Sequence, residues 1–402
     1  VLFVDLDDFK VVNDTMGHGA GDELLAAVGA RLAATVRESD TAARLGGDEF
    51  ALLVEQVQET AQVETLAGKI VKAFGEPFPL PGGSVITTAT VGVATTEDSA
   101  DVDELLRHAD LALYAAKAAG KRQWRRYQSV LSAGMVRRRE VQVALDEALK
   151  NSSFTLVYQP IVALGSGEIA GFEALVRWPH PRWGMMLPGQ FISLAEETGH
   201  IVPLGAWVLR QAVADMVRWR GDVLDEPPMY ISVNVSARQF RTPGFVDVVK
   251  QSLAASGLAP SALVLELTES VLLNRDDQGH DDLMELKAAG VRLAIDDFGT
   301  GYSSLSYLRD FPIDVLKIDK SFIDGMTVSS QQLALVEGII GIAKKLDLDV
   351  TAEGIETDAQ REMLIAMGCH YGQGYLLAMP ADAEQTEALI RERRPLTTEL
   401  PG

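Results

Sequence analysis

Asp296 and Asp297 stand side by side after the apolar run Leu293-Ala294-Ile295, and a loop containing Gly299 and Gly301 follows at once. Two adjacent carboxylates leaving a buried strand together are costly unless a cation or a proton offsets them. The glycines let the next stretch turn sharply. In an α/β chain, ligands collect at the C-terminal ends of strands. The pair therefore marks a candidate ligand site around which other polar groups should gather.

Such groups interrupt other apolar runs. Glu173 stands in FEALVRW, Asn234 in ISVNVS, and Glu266 in LVLELTE with Glu269 three residues on; Lys317 stands in VLKIDK, Glu353 in TAEGIE and Gln373 in YGQGY. One buried acid alone is more often a paired structural ion. A set spread over successive strands and aimed into one mouth would repel itself without cations, so a metal centre is the economical expectation. Asn234 or Gln373 alone would read as a hydrogen-bonded core amide. A strand lysine such as Lys317 is rarely fully buried without a task. His180 and Trp183, in a proline-rich loop, read as structural or rim residues, and Tyr302 as loop packing.

The elements that must position these groups alternate. Strand-like runs are FTLVYQPIV, GFEALVRW, MYISVNVS, LVLELTE, VRLAIDDF, VLKIDKSF, DVTAEGI and the shorter YGQGYLL, with helical runs such as QQLALVEGIIGIAKKLD between most of them. About eight strands over this length suit a TIM-type barrel better than an open sheet. Upstream, VLFVDLDDFK reads as a strand ending in acids, and a glycine-rich turn then leads into a helix striped by Leu25, Val28, Leu32 and Val36. TAARLGGDEFALLVE reads as strand, Gly-Gly turn, strand, and SVITTATVGVATT as one β-branched strand. A linker is expected near Gln128 to Met135, and the Arg137 to Arg139 triplet beyond it reads as a solvated face.

At 402 residues, two domains are the natural expectation, over residues 1–130 and 136–394. A net charge of −21 argues against binding to a nucleic-acid polymer, which needs clustered Lys and Arg. An acidic chain can still take a phosphate ligand where metal ions invert the local field. Cys369, the only cysteine, rules out an internal disulfide and fits the cytoplasm. No apolar run in this fragment is long enough to span a bilayer, and Val1 reads as the middle of a strand, so an upstream sensor or membrane segment is compatible with the sequence.

Glu173-Ala174-Leu175, VNVSARQF, LELTES, DDFGTGYSSL, LKIDK, AEGIE and QGY occur in order. With them the region resembles the EAL domain, the cyclic di-GMP phosphodiesterase family. The resemblance implies a modified TIM (β/α)8 barrel with one antiparallel strand. It implies one divalent ion at Glu173, Asn234, Glu266 and Asp296, and a second at Asp296, Asp297 and Glu353. Oxygen ligation of this kind suits Mg²⁺ or Mn²⁺ rather than zinc. Glu353 is the candidate general base with Asp297 as rival. Lys317 would orient the attacking water, Gln373 would hold water or phosphate, and Gln159, Leu175 and Arg177 would hold substrate. Glu269 would brace the loop after Asp297.

Asp5-Leu6-Asp7, Asn13, Gly17-His18, Gly21-Asp22, Gly46-Gly47-Asp48-Glu49-Phe50 and AKAAGK likewise resemble the GGDEF domain, the diguanylate cyclase family. This implies a palm-like α/β sandwich with an antiparallel sheet that joins two GTP molecules into cyclic di-GMP. Asp5 and Asp48 would share Mg²⁺ with GTP, and Glu49 would assist deprotonation of the attacking hydroxyl. Asn13 and Asp22 would read guanine, Gly46 and Gly47 would let the backbone approach the nucleotide closely, and Lys117 and Lys121 would hold phosphates. Arg37 and Asp40 resemble the family's RxxD inhibitory site. The family's helical lead-in before the first strand is absent from this sequence.

Three readings follow: a metal-dependent hydrolase opening cyclic di-GMP to pGpG, a protein that also synthesises it, and a non-catalytic nucleotide receptor. Receptors usually lose an acid or the loop motif, and neither is lost here. The family tendency is a homodimer.

Overall fold

The computed structural model describes residues 1–81, 83–220, 229–269, 271, 277–299, 311–392 and 395–396. The chain divides into two compact units, Val1–Glu140 and Val141–Gly402.

Described strands of the first unit are β1 (Leu2–Leu6), β2 (Thr41–Gly46), β3 (Glu49–Leu53), β4 (Phe78–Leu80), β5 (Gly83–Val85), β6 (Ala89–Val93) and β7 (Trp124–Arg126). Five of them form one sheet in the order β2-β3-β1-β6-β7, and β4 pairs with β5 apart. Neighbours in the large sheet are antiparallel except β6 and β7. Leu2 and Val4 of β1 meet Leu24 and Val28 of the helix His18–Thr35 in the core.

Three local expectations are corrected. The run from Ser84 to Thr96 is not one strand, because β5 ends at Val85 and β6 begins at Ala89. Between and beside them, the Thr88 and Thr90 hydroxyls each donate to the Asp7 carboxylate at 2.7 Å, giving this stretch side-chain partners that a continuous ladder would not. The residues after β1 are helical over Phe9–Met16, following Asp8 at φ 59°. The linker expected near Gln128 to Met135 is helical as well. A helix spans Ser129–Lys150, and the division between units falls within it. It contains no proline, and a single mid-helix glycine costs only about 1 kcal/mol.

The second unit is a closed barrel. Its strands are β8 (Thr155–Ala163), β9 (Ile169–His180), β10 (Gly184–Met186), β11 (Tyr230–Val235), β12 (Leu263–Thr268), β13 (Arg292–Phe298), β14 (Val315–Ile318), β15 (Asp349–Ala352) and β16 (Tyr371–Gly372). The order β9-β11-β12-β13-β14-β15-β16-β8 closes through β8–β9 pairing, and β10 is added outside β9. β8 runs antiparallel to both β9 and β16, whereas the remaining barrel neighbours are parallel. The reason is local. Only residues 164–168 separate β8 from β9, with Gly167 at φ 76°, and so short a connection allows an antiparallel hairpin but no parallel crossover.

Helices such as Ile201–Arg220, Phe245–Ser256 and Ser330–Lys345 pack outside, and their buried Leu209, Val249 and Ile340 join the core. β14 is shorter than the run VLKIDKSF, because Asp319 accepts from the Ser321 amide and caps the helix Lys320–Gly325. No helix among the described residues is long and apolar enough to cross a membrane.

Candidate active site

Register brings the polar residues level with one another. Glu173 of β9 lies opposite Gln159 of β8 and Ser232 of β11; Asn234 of β11 lies opposite Glu266 of β12; Thr268 lies opposite Asp296 of β13. Side chains alternate across a strand, and the parallel strands share one direction, so these groups collect at one end of the barrel.

Lys317 of β14 is the centre of the cluster. It is 2% exposed, and its Nζ lies 2.6 Å from Glu353 Oε1, 2.7 Å from Glu266 Oε2, 3.2 Å from Asp296 Oδ1 and 3.5 Å from Glu173 Oε2. Asn234 Nδ2 donates to Glu173 Oε1 and Gln373 Nε2 to Glu173 Oε2, both at 2.7 Å. The Ser232 hydroxyl donates to Glu266 Oε1 at 2.5 Å. Ser232 was not singled out from the sequence. Its signal was the alternation Ser232, Asn234, Ser236, which puts it on the face that carries Asn234.

These contacts sort the acids by charge. Burial works against the ionised form of Glu173, but Lys317 and the Gln373 and Asn234 amides prevail and hold its carboxyl below the usual range. Glu266, fully buried beside the charge of Glu173, is pushed well above it. Burial, together with Asp296 and Glu173, carries Glu353 up to about 8 against the pull of Lys317. Burial would lower Lys317, but the surrounding acids raise it well above the ordinary lysine value.

Asp296 and Asp297 should face opposite sides of β13, yet their carboxylates lie close together. The pairing of β13 with β14 shifts register between Ile295 and Phe298, and Asp297 sits at φ 53°. This irregularity breaks the two-residue alternation and re-aims a side chain, as bulges do. Carboxylate oxygens of Asp296, Asp297 and Glu353 then lie within 4.8 Å of one another. Burial and the neighbouring Asp296 raise the Asp297 carboxyl. The all-oxygen donor set fits a hard divalent cation, and Gln373 Oε1 is buried without a hydrogen-bond partner, so the site can accept such an ion and a bound water.

Around this centre, Gln159 Nε2 donates to the Ala378 carbonyl at 3.3 Å, and Leu175 and Arg177 follow Glu173 on the same face of β9, both half-buried. Burial lowers Arg177 despite the fields of Tyr375 and Glu173. Glu269 Oε1 accepts from the Gly299 amide at 2.8 Å, at the entry to the loop it was expected to brace. Residues 300–310 of that loop, Tyr302 included, lie outside the described residues. His180 stacks on Trp183 with ring centroids 4.3 Å apart.

Residues 142–380 match the EAL domain family. The chain belongs to the EAL family. Residues 1–123 match "Diguanylate cyclase, GGDEF domain", which makes it a tandem GGDEF–EAL protein. It is 44% identical over 393 residues to the "Bifunctional diguanylate cyclase/cyclic di-GMP phosphodiesterase MucR" of Pseudomonas aeruginosa, covering 97% of this chain and 57% of that protein. It is 39% identical over 395 residues to "Cyclic di-GMP phosphodiesterase NbdA" of the same organism, covering 98% and 50%. Among solved structures, "PaMucR Phosphodiesterase, c-di-GMP complex" matches with TM-score 0.59 and 44% identity over 61% of this chain and 99% of that one. "Structure of EAL Enzyme Bd1971 - cAMP and cyclic-di-GMP bound form" matches with TM-score 0.62 and 31% identity over 77% and 82%. The chain thus spans about half the length of the curated relatives.

In the GGDEF domain, Asp5 is 6% exposed and pairs with Lys117 Nζ at 2.7 Å. Burial raises its carboxyl against Lys117, with Asp48 and Glu49 adding to the rise. Glu49 lies opposite Asp5 in the β1–β3 ladder and is exposed. Lys121 pairs with Asp8 at 2.7 Å. The two lysines expected on phosphates are therefore seated on acids. Asn13 reaches over Gly21, where any Cβ would stand 1.9 Å from its Oδ1, so glycine there leaves room for the Asn13 side chain. Asp22 helps line a groove of about 400 Å³ with Arg44 and Phe50. Gly47 turns at φ 52°, and its carbonyl, next to Gly46, accepts from Arg44 Nη2 at 2.7 Å. Asp40 accepts the Arg37 and Glu55 amides at 3.0 and 3.2 Å, so it braces the start of β2.

Proposed function

We propose that the EAL domain hydrolyses cyclic di-GMP to linear pGpG with Mg²⁺ or Mn²⁺. The observation that carries this reading is the buried cluster in which Lys317 lies within 3.5 Å of Glu173, Glu266, Asp296 and Glu353. Support also comes from a solved relative described as a phosphodiesterase in complex with c-di-GMP, 44% identical over 99% of its chain.

Divalent ions held by Glu173, Asn234, Glu266 and Asp296, and by Asp296, Asp297 and Glu353, would acidify the attacking water and offset phosphate charge. Glu353, deprotonated for its part in holding the ions, would accept the proton as the water oxygen bonds to phosphorus; without them, burial keeps its proton up to about 8. The bond from phosphorus to the 3′ oxygen breaks, and that oxygen leaves with a proton from solvent. Asp297 is the rival base. Lys317 orients the water and steadies the charge growing on phosphate. Gln373 offers its unpartnered Oε1 to the water. Gln159, Leu175 and Arg177 hold the nucleotide, and Glu269 keeps the Gly299 turn in place.

A second activity, synthesis of cyclic di-GMP from GTP, is favoured by the adjacency of Asp5, Asp48 and Glu49 beside the Gly46-Gly47 turn. Chromatography of products after separate incubation with cyclic di-GMP and with GTP, in Mg²⁺ or Mn²⁺, tests both. The expected product of the first is pGpG, lost in Glu173→Ala. Synthesis is read in Glu173→Ala, where its product survives. Tight nucleotide binding without turnover in either metal would favour a receptor.

A further inference from the structure

We propose that Lys317 is the protein's own rival for the divalent ion: its ammonium and the ion draw on the same oxygens of Glu173, Glu266 and Asp296. It therefore loosens the ion's hold, and it keeps the acids together when the ion departs. The inference rests on the metal-dependent reading above and concerns how that site is regulated.

The geometry supplies the argument. An ammonium has three N–H groups, and three carboxylates lie within 3.2 Å of this one, with Glu173 next at 3.5 Å. At 2% exposure, Lys317 has no water to fall back on, so it needs these acids as much as they need a cation. An ion bound by Glu173, Glu266 and Asp296 would place two positive charges within a few ångströms of Nζ. At Glu266 the competition is direct: Oε1 takes the Ser232 hydroxyl and Oε2 takes Lys317, so an ion at Oε2 meets the ammonium's charge on the same oxygen.

The test is calorimetric titration of Mg²⁺ and of Mn²⁺ into the full chain, without nucleotide, at matched pH. The wild type is compared with Lys317→Met, which keeps most of the side chain's length and removes its charge, and with Lys317→Arg, which keeps the charge. Lys317→Met is expected to bind the ion about tenfold or more tightly, and Lys317→Arg to gain no affinity over wild type. In chelator, Lys317→Met should melt lower than wild type, and Mn²⁺ should close the gap. Equal or weaker ion affinity in Lys317→Met overturns the proposal. If that variant does not fold even with metal, the wild type decides through its lysine side-chain ¹⁵N resonances. A protected ammonium signal in chelator should change on saturation with Mg²⁺, and an unchanged signal overturns the proposal. Absence of any ion binding by the folded wild type would instead remove the metal reading itself.

Discussion

Gln373 Nε2 donates to Glu173 Oε2 at 2.7 Å, joining residues 200 positions apart across the seam where β8 closes the barrel. Asn234 holds the other Glu173 oxygen from β11. Lys317 and these two amides keep the buried carboxylate ionised, and the amides aim it.

Removing one of these donors should therefore be felt as lost ion affinity. Gln373→Ala is expected to weaken Mn²⁺ binding about 10- to 100-fold, as loss of an orienting partner of a ligand typically does. Gln373→Glu should be worse, because it sets a second carboxylate against Glu173. Calorimetric titration distinguishes the two, and an Ala variant with wild-type affinity would contradict this role.

Asp297 at φ 53° separates backbone from charge. Asn tolerates this left-handed conformation, so Asp297→Asn should keep the melting temperature and lose ion affinity. Asp297→Val adds steric strain of about 1–2 kcal/mol and should melt lower as well. Paired thermal melts and Mn²⁺ titrations check both; equal melting of the two variants would mean that the conformation is not enforced.

Burial, with the charges of Asp296 and Glu173, holds Glu353 up to about 8, and ligation needs its carboxylate. Ion affinity should rise with pH up to about 8 and then level, with proton release on Mg²⁺ addition below that point. In chelator the sign reverses for stability. The folded state binds more protons at Glu353 than the unfolded state between 4.5 and about 8, so this residue's contribution falls as pH rises through that window. Titration in buffers of different ionisation enthalpy measures the release, and none at neutral pH would refute it.

In the GGDEF domain, a Cβ on Gly92 of β6 would stand 2.2 Å from the Ala109 carbonyl and the Leu113 amide. Both belong to the backbone of the helix Val102–Ala118, which cannot give way like a flexible side chain. Gly92→Ala should cost about 2 kcal/mol or more, read by denaturant unfolding.

Tyr158 donates to Asp215 at 2.5 Å in the barrel wall, where Gln211 donates to the same carboxylate oxygen at 3.0 Å. Tyr158→Phe should cost about 1–2 kcal/mol in unfolding measurements. It should leave the Mn²⁺ affinity of the barrel unchanged.

Much of this protein is legible in its residues alone. Acids ending apolar runs marked Glu173, Glu266 and the Asp296-Asp297 pair, and repeated alternation of strands and helices called for a barrel. The ordered motifs gave the two families. These are local properties, written within a few residues of each other by side-chain period and turn chemistry. The folded chain was needed to show that Lys317 sits among four carboxylates, that Gln373 reaches Glu173, that Ser232 holds Glu266, and that Asp40 braces a turn. It also divided Ser84 to Thr96 into two strands and made residues 129–135 helical. Contacts of this kind depend on barrel closure and strand register, where a one-residue slip turns every side chain to the other face, and no local pattern records the distance between residues far apart in the chain.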